Sequence, residues 1–371
     1  MSSLACGTRR ARRGNGSQPR RCLVDCASFD APLFVGRRWN VRFAFPLCCL
    51  YLIEGCLPAL GEEERVQVIT YQPDPVPAEV PLALTSLQPL ETGGIRVFFG
   101  GTLEFMGGAR VQEAATPLHA RVERGTNGTL VPTDYLTLLG LCVLHHLEVS
   151  RRYIEGLGVP GVREEAPYEI YLHPEVRSAQ LGSFRDNMAY VRGANWFLVA
   201  PEDEIDALPL ACNRAVVAHE FGHAVSFQSD PTARFPSGDI IAIDEGFSDV
   251  IGAGVTMSAS GLQPSIRSNA RDLDVARVDD VAFPPHDRGA VLASVFWAYR
   301  GALVVSGFAR DEATDAMVRL ALETMVSFRG ETDFLLVDFV RRAIELAPRP
   351  ALFCQRAPLA YPGGEVTRAC E

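Results

Sequence analysis

The chain has 371 residues, 47% of them hydrophobic, and a formal net charge of −10, so it can bury a substantial core. All its basic side chains are arginine, and residues 1–60 hold nine of them against Asp25, Asp30 and Glu54, which leaves the rest of the chain strongly acidic. An acidic body argues against binding nucleic acid through its phosphates and suits a soluble protein working outside the cytoplasm.

Residues 1–56 read as an over-extended start followed by an export signal. A basic flank, Arg37-Arg38-Trp39-Asn40-Val41-Arg42, precedes an apolar run over residues 43–53 broken only by Pro46. That run is too short to span a membrane and right for a signal core. Ile53-Glu54-Gly55-Cys56 resembles a bacterial lipobox, which implies a lipid on Cys56 and attachment to the cell envelope; plain secretion is the other outcome. Five cysteines lie before this point, and beyond Cys56 there remain Cys142, Cys212, Cys354 and Cys370. Four suit two disulfides in an oxidising compartment. Cys142 with Cys212 and Cys354 with Cys370 are the expected pairs, against four free buried thiols.

Residues 57–90 carry Pro58, Pro73, Pro75, Pro77, Pro81 and Pro89 and read as an extended linker. Residues 91–225 then read as an α+β lobe. Short strands are expected at 95–99 and 109–112, and a long helix over 133–156 with Thr133 as its N-cap. His145 and His146 on that helix are adjacent and face differently, so they read as packing or surface residues rather than ligands. Residues 168–172 alternate as a strand does, and 187–190 with 195–199 form a hairpin pattern. Glu202, Asp203, Glu204 and Asp206 are a carboxylate cluster that suits either Ca²⁺ or a solvated loop.

The chemistry is concentrated in Ala218-His219-Glu220-Phe221-Gly222-His223. On a helix His219 and His223 project from one face and can meet one Zn²⁺, with Glu220 beside them as a general base. A catalytic zinc takes three protein ligands and keeps a position open for water. The third candidate is Glu245 in Asp244-Glu245-Gly246-Phe247-Ser248-Asp249, with Asp249 one turn further on the same face to accept the spare ring N–H of a ligand histidine.

These two segments resemble the thermolysin-like metallopeptidases, the gluzincins whose HExxH helix is followed by a Glu-x-x-x-Asp helix; the fungalysins are a close second match. The resemblance covers roughly residues 130–345 and is specific only around the site. It implies a two-lobed α+β fold, a mixed sheet-and-helix lobe before a mainly helical lobe at 226–348, with zinc in the cleft between them and a tail at 349–371. It implies a zinc endopeptidase in which His219, His223 and Glu245 hold the metal, Asp249 supports a ligand histidine, and Glu220 is the base for a metal-activated water. Pro264-Ser265-Ile266-Arg267-Ser268-Asn269 is similar to the segment whose arginine binds a substrate carbonyl, which carries over to Arg267. Pro284-Pro285-His286-Asp287 resembles the segment whose histidine stabilises the oxyanion, which carries over to His286; Asp279 and Asp280 are near the place of the aspartate that orients it. Asn187-Met188-Ala189-Tyr190 resembles the edge strand that pairs with substrate, with Ala189 as the matching position.

Two departures from the family stand out. No tyrosine lies between residues 224 and 245, where thermolysin has one that assists the oxyanion, and residues 57–90 are too short to fold as the usual propeptide. Both favour the rival expectation, a weak or inactive member of the fold that binds peptides or an envelope partner. The intact Glu220 opposes it, because a pure binding site has no use for a base beside a metal. Further helices are expected at 242–258, 288–306, 311–328 and 332–346.

Overall fold

Most of the proline-rich stretch expected as a linker, among the described residues, is the two strands of a β-hairpin. Strands β1 (Glu64–Gln72) and β2 (Asp74–Leu82) pair antiparallel from Glu64 opposite Leu82 to Gln72 opposite Asp74. Pro75, Pro77 and Pro81 all fall on one parity of β2, which is the outer strand of a four-stranded sheet. A proline has no N–H to give a ladder, so prolines of one parity on an edge strand cost no hydrogen bond. Proline content alone therefore misread the segment. The computed structural model describes residues 63–72, 74–104, 109–162, 167–177, 184–202, 208–229, 238–262, 271–275, 277–331 and 334–371. The expected signal, lipobox and Cys56 lie outside these residues.

The strands that follow are short: β3 (Leu84–Leu87), β4 (Leu90–Thr92), β5 (Ile95–Phe99), β6 (Thr102–Glu104), β7 (Arg110–Glu113), β8 (Thr116–Pro117), β9 (Val122–Arg124) and β10 (Leu130–Pro132). Helix α1 (Tyr135–Leu157) comes next, then β11 (Tyr168–Leu172), β12 (Glu175–Arg177), β13 (Met188–Val191) and β14 (Trp196–Val199). A mixed sheet runs in the order β13-β14-β11-β5-β4-β3, with β8 also on β5. Within it β11 is parallel to both β5 and β14, whereas β13 is antiparallel to β14 and forms the edge. In α1 the N-cap is Asp134, one residue after the expected Thr133; its Oδ1 accepts the Thr137 amide at 2.8 Å, and Gly158 closes the other end at φ 62°.

Beyond Val199 the described elements are helical: α2 (Arg214–Ser229), α3 (Gly238–Thr256), α4 (Pro285–Val305), α5 (Arg310–Ser327), α6 (Leu336–Leu346) and the short α7 (Pro350–Phe353), α8 (Ala357–Ala360) and α9 (Gly364–Ala369). The fold of residues 58–371 is thus α+β, with a sheet-rich first part and a helical second part. One continuous core joins them, from Val66 and Val68 on β1 through Leu141 and Leu144 on α1 to Phe247, Phe296 and Phe339. Both expected disulfides are present. Cys142–Cys212 ties α1 to the turn just before α2, and Cys354–Cys370 closes the tail. His145 and His146 are buried as packing residues, His146 Nε2 lying 3.1 Å from the Cys212 carbonyl.

Candidate metal centre

Helix α2 starts at a defined point, because Asn213 Oδ1 accepts the Ala215 amide at 3.0 Å and Cys212 is bonded to α1. From there the 3.6-residue period puts His219 and His223 on one face. Their Nε2 atoms face each other at 3.1 Å. Helix α3 brings Glu245 to the same point, its oxygens 3.5 Å from His219 Nε2 and 3.7 Å from His223 Nε2. Three ligand atoms from these residues lie within 4.8 Å of one another, a group that could hold a metal ion.

Missing side chains allow this approach. A Cβ on Gly222 of α2 would sit 2.7 Å from Ser248 Cα on α3, so only glycine lets the two helices pack at this depth. The next helix, α4, delivers His286 from its first turn; its Nε2 is 3.2 Å from Glu245 Oε1 while the side chain stays 60% exposed. Asp279, expected near its orienting position, instead pairs with Arg288 at 3.0 Å.

Each ligand histidine is backed by an aspartate, and each aspartate by an arginine. His219 Nδ1 lies 2.9 Å from Asp249 Oδ1, which accepts from Arg271 Nη1 at 2.7 Å. His223 Nδ1 lies 2.6 Å from Asp244 Oδ2, which also accepts from Arg192. Arg271 reaches Glu245 Oε2 as well, at 3.2 Å. A carboxylate behind a ligand imidazole orients the ring so that Nε2 is the nitrogen turned toward the metal position.

The electrostatics follow from this wiring. Burial pushes the carboxyl groups of Glu245, Asp249 and Asp244 up, but the histidines and arginines facing them outweigh it and hold all three below the usual carboxylate range. Burial would lower the two imidazoles, yet Asp249 and Glu245 lift His219 to about 10 and Asp244 lifts His223 in the same direction. Glu220 goes the other way: burial raises it, and the nearby histidines only partly offset that.

Glu220 Oε2 accepts the Tyr190 amide at 2.8 Å. That contact settles which edge of β13 faces the cleft. Tyr190 turns its N–H away from β14, so in an antiparallel pair its neighbours Ala189 and Val191 turn theirs toward β14. Ala189 lines the cleft as expected, but its backbone is directed at β14; Met188 and Tyr190 direct theirs the other way, and the Tyr190 N–H is taken by Glu220. The cleft holds about 500 Å³, with the histidines and Glu220 on its floor and Leu210, Val216 and Leu262 as apolar wall.

No family model matches the chain, and no curated protein matches it in sequence. What the site can do therefore rests on its geometry.

Of the residues expected from sequence, His219, Glu220, His223, Glu245, Asp249, His286 and Ala189 are brought together here. Arg267 lies outside the described residues. The guanidinium at the centre is that of Arg271, four positions later, which sequence reading passed over. Asp244 and Arg192 were missed too. Asp244 had a local signal, as the residue next to a ligand on the same helix; Arg192 had none, since it reaches the site from a hairpin 52 positions earlier in the chain. In the carboxylate cluster Glu202 is engaged, accepting the Leu210 amide at 2.6 Å, and Asp203, Glu204 and Asp206 lie outside the described residues.

Proposed function

We propose that the chain is a zinc-dependent endopeptidase of the thermolysin-like, two-lobed gluzincin type, with peptide or protein as substrate. The observation that carries this reading is the convergence of His219, His223 and Glu245 beside a buried Glu220. Two nitrogens on one tetrahedral zinc at 2.0–2.1 Å stand about 3.3 Å apart, and the facing Nε2 atoms are 3.1 Å apart. Two imidazoles and one carboxylate are the donor set of a catalytic zinc that keeps one position open. When bound, zinc supplies Lewis-acid polarisation of a carbonyl and a lower pKa for water.

The chain's own groups do the rest. Glu220 takes a proton from the attacking water as the C–O bond forms, then passes it to the amide nitrogen as the C–N bond breaks. Its raised pKa suits both halves of that task. The Tyr190 amide fixes which carboxylate oxygen stays free to face substrate. His286 lines the same cleft, its Nε2 3.2 Å from Glu245 Oε1, and its N–H would serve as the donor to negative charge developing on the carbonyl oxygen. The outer edge of β13 offers the backbone of Met188 to an extended peptide, while the Tyr190 N–H stays with Glu220. Two disulfides support export into an oxidising compartment, and the lipobox-like Cys56 supports anchoring there.

Zinc-loaded protein with a quenched peptide library or casein, beside Glu220→Gln, tests the reading. Cleavage by the wild type and none by a variant that still holds one zinc is the expected result. Equal turnover by both would remove Glu220 from the mechanism. Zinc retained with no cleavage by either would move the protein to the rival class, a fold that binds peptides without cutting them.

A further inference from the structure

Beyond the ligands and the base, one contact crosses from the sheet to the metal centre. Arg192 directly follows β13, and its guanidinium meets Asp244 on α3, the carboxylate that also holds His223 Nδ1 at 2.6 Å. Asp244 is nearly fully buried, at 6% side-chain exposure, while Arg192 keeps 32% and lines the cleft. A buried carboxylate without a cation is costly, so the position of Asp244 depends on Arg192 as well as on the histidine.

We infer that Arg192 is a positioning residue for the metal centre: through Asp244 it sets the ring of His223, and in doing so it locks the cleft-side edge strand to the metal-binding helices. The inference rests on the metal-binding reading of His219, His223 and Glu245. The geometry gives it three supports. Asp244 Oδ2 is shared by His223 Nδ1 and Arg192, so a displaced guanidinium pulls on the atom that orients the ring. The other relay, Arg271 to Asp249 to His219, is built on α2, α3 and the segment after α3, without any strand. And the end of β13 and the residue after it are tied down twice within three residues, by the Tyr190 amide on Glu220 and by Arg192 on Asp244, so base, ligand and peptide-binding edge share one frame.

The test is a double-mutant cycle on Zn²⁺ affinity, read with the full chain by competition against a chromophoric chelator. Loss of such an outer partner typically weakens metal binding by about 10- to 100-fold. Asp244→Asn and Arg192→Met are each expected to lose affinity in that range, and Arg192→Lys, which keeps the charge, to recover most of it. Because both residues act along one line, the double variant should bind Zn²⁺ no more weakly than Asp244→Asn alone. Wild-type affinity in Arg192→Met, or losses that multiply in the double variant, would overturn the inference while leaving the metal centre standing. A wild type that binds no Zn²⁺ would remove the metal centre and the inference together. Should Arg192→Met fold poorly by circular dichroism, Arg192→Gln is read in the same cycle and the same results decide.

Discussion

Gly246 on α3 and Gly289 on α4 face each other so closely that a Cβ on Gly246 would lie 2.6 Å from the Gly289 carbonyl oxygen. A Cβ on Gly289 would in turn lie 2.7 Å from that of Glu245. This crossing is what carries His286, at the start of α4, to within 3.2 Å of Glu245. Gly289→Ala is expected to force the helices apart and destabilise the fold by about 1–3 kcal/mol, the usual range for an overpacked core. A Cβ on Gly301 of the same helix would meet nothing within 4 Å. Gly301→Ala should therefore be neutral or mildly stabilising, and urea denaturation of the two variants should separate them; equal midpoints would mean that the crossing is not tight.

Arg271 holds two buried carboxylates at once, Asp249 at 2.7 Å and Glu245 at 3.2 Å, with only 14% of its own side chain exposed. Arg271→Met takes the guanidinium from both and leaves them only the imidazoles. Breaking a buried pair from one side costs about 3–5 kcal/mol, and that loss is expected in chelator-treated protein by urea denaturation. Added Zn²⁺ should restore part of it, because a metal at His219, His223 and Glu245 supplies positive charge to the same carboxylates. A metal-free variant as stable as the wild type would show that Arg271 is dispensable there.

The two disulfides close loops of different size, with separations of 70 residues for Cys142–Cys212 and 16 for Cys354–Cys370. Chain entropy assigns about 4 kcal/mol to the longer loop and about 3 kcal/mol to the shorter. Replacing each pair by alanine should rank them in that order in denaturation experiments. The longer one should also matter to the site, since Cys212 stands just before Asn213 and the start of α2. Lower Zn²⁺ affinity in the Cys142→Ala, Cys212→Ala protein, with no such change in the tail pair, is the expected pattern.

His145 is buried on α1, and burial, with Arg214 nearby, pushes its pKa down to about 4. His146 is shifted the same way. A histidine whose folded pKa lies below its unfolded value contributes stability that is complete above about pH 6.5 and is lost as pH falls toward 4. For His145 the full loss is on the order of 3 kcal/mol. His145→Gln should flatten the fall in stability across that window when compared with the wild type. Parallel curves for the two proteins would mean that His145 already binds its proton in the folded state.

Local periodicity carries much of this protein in the sequence itself. The four-residue spacing of His219 and His223, and of Glu245 and Asp249, becomes geometry as soon as a helix forms, because 3.6 residues per turn puts such pairs on one face. The alternation at Tyr168–Leu172 and the hairpin pattern ending in Trp196–Val199 are legible for the same reason. The proline-rich start was not, since proline content speaks of a linker while the parity of Pro75, Pro77 and Pro81 means something only beside β1. Arg192 and Arg271 were beyond reach of any local rule. An arginine in a sequence has no direction, and which carboxylate it meets is decided by how a hairpin end and the segment after α3 pack against α3. So the ligand spacing belongs to the sequence. Asp249 behind a ligand histidine was legible too; only the tertiary structure decided that Asp244 stands behind His223 and that Arg271 and Arg192 stand behind the two aspartates, because these contacts join residues that no helical turn or strand register brings together.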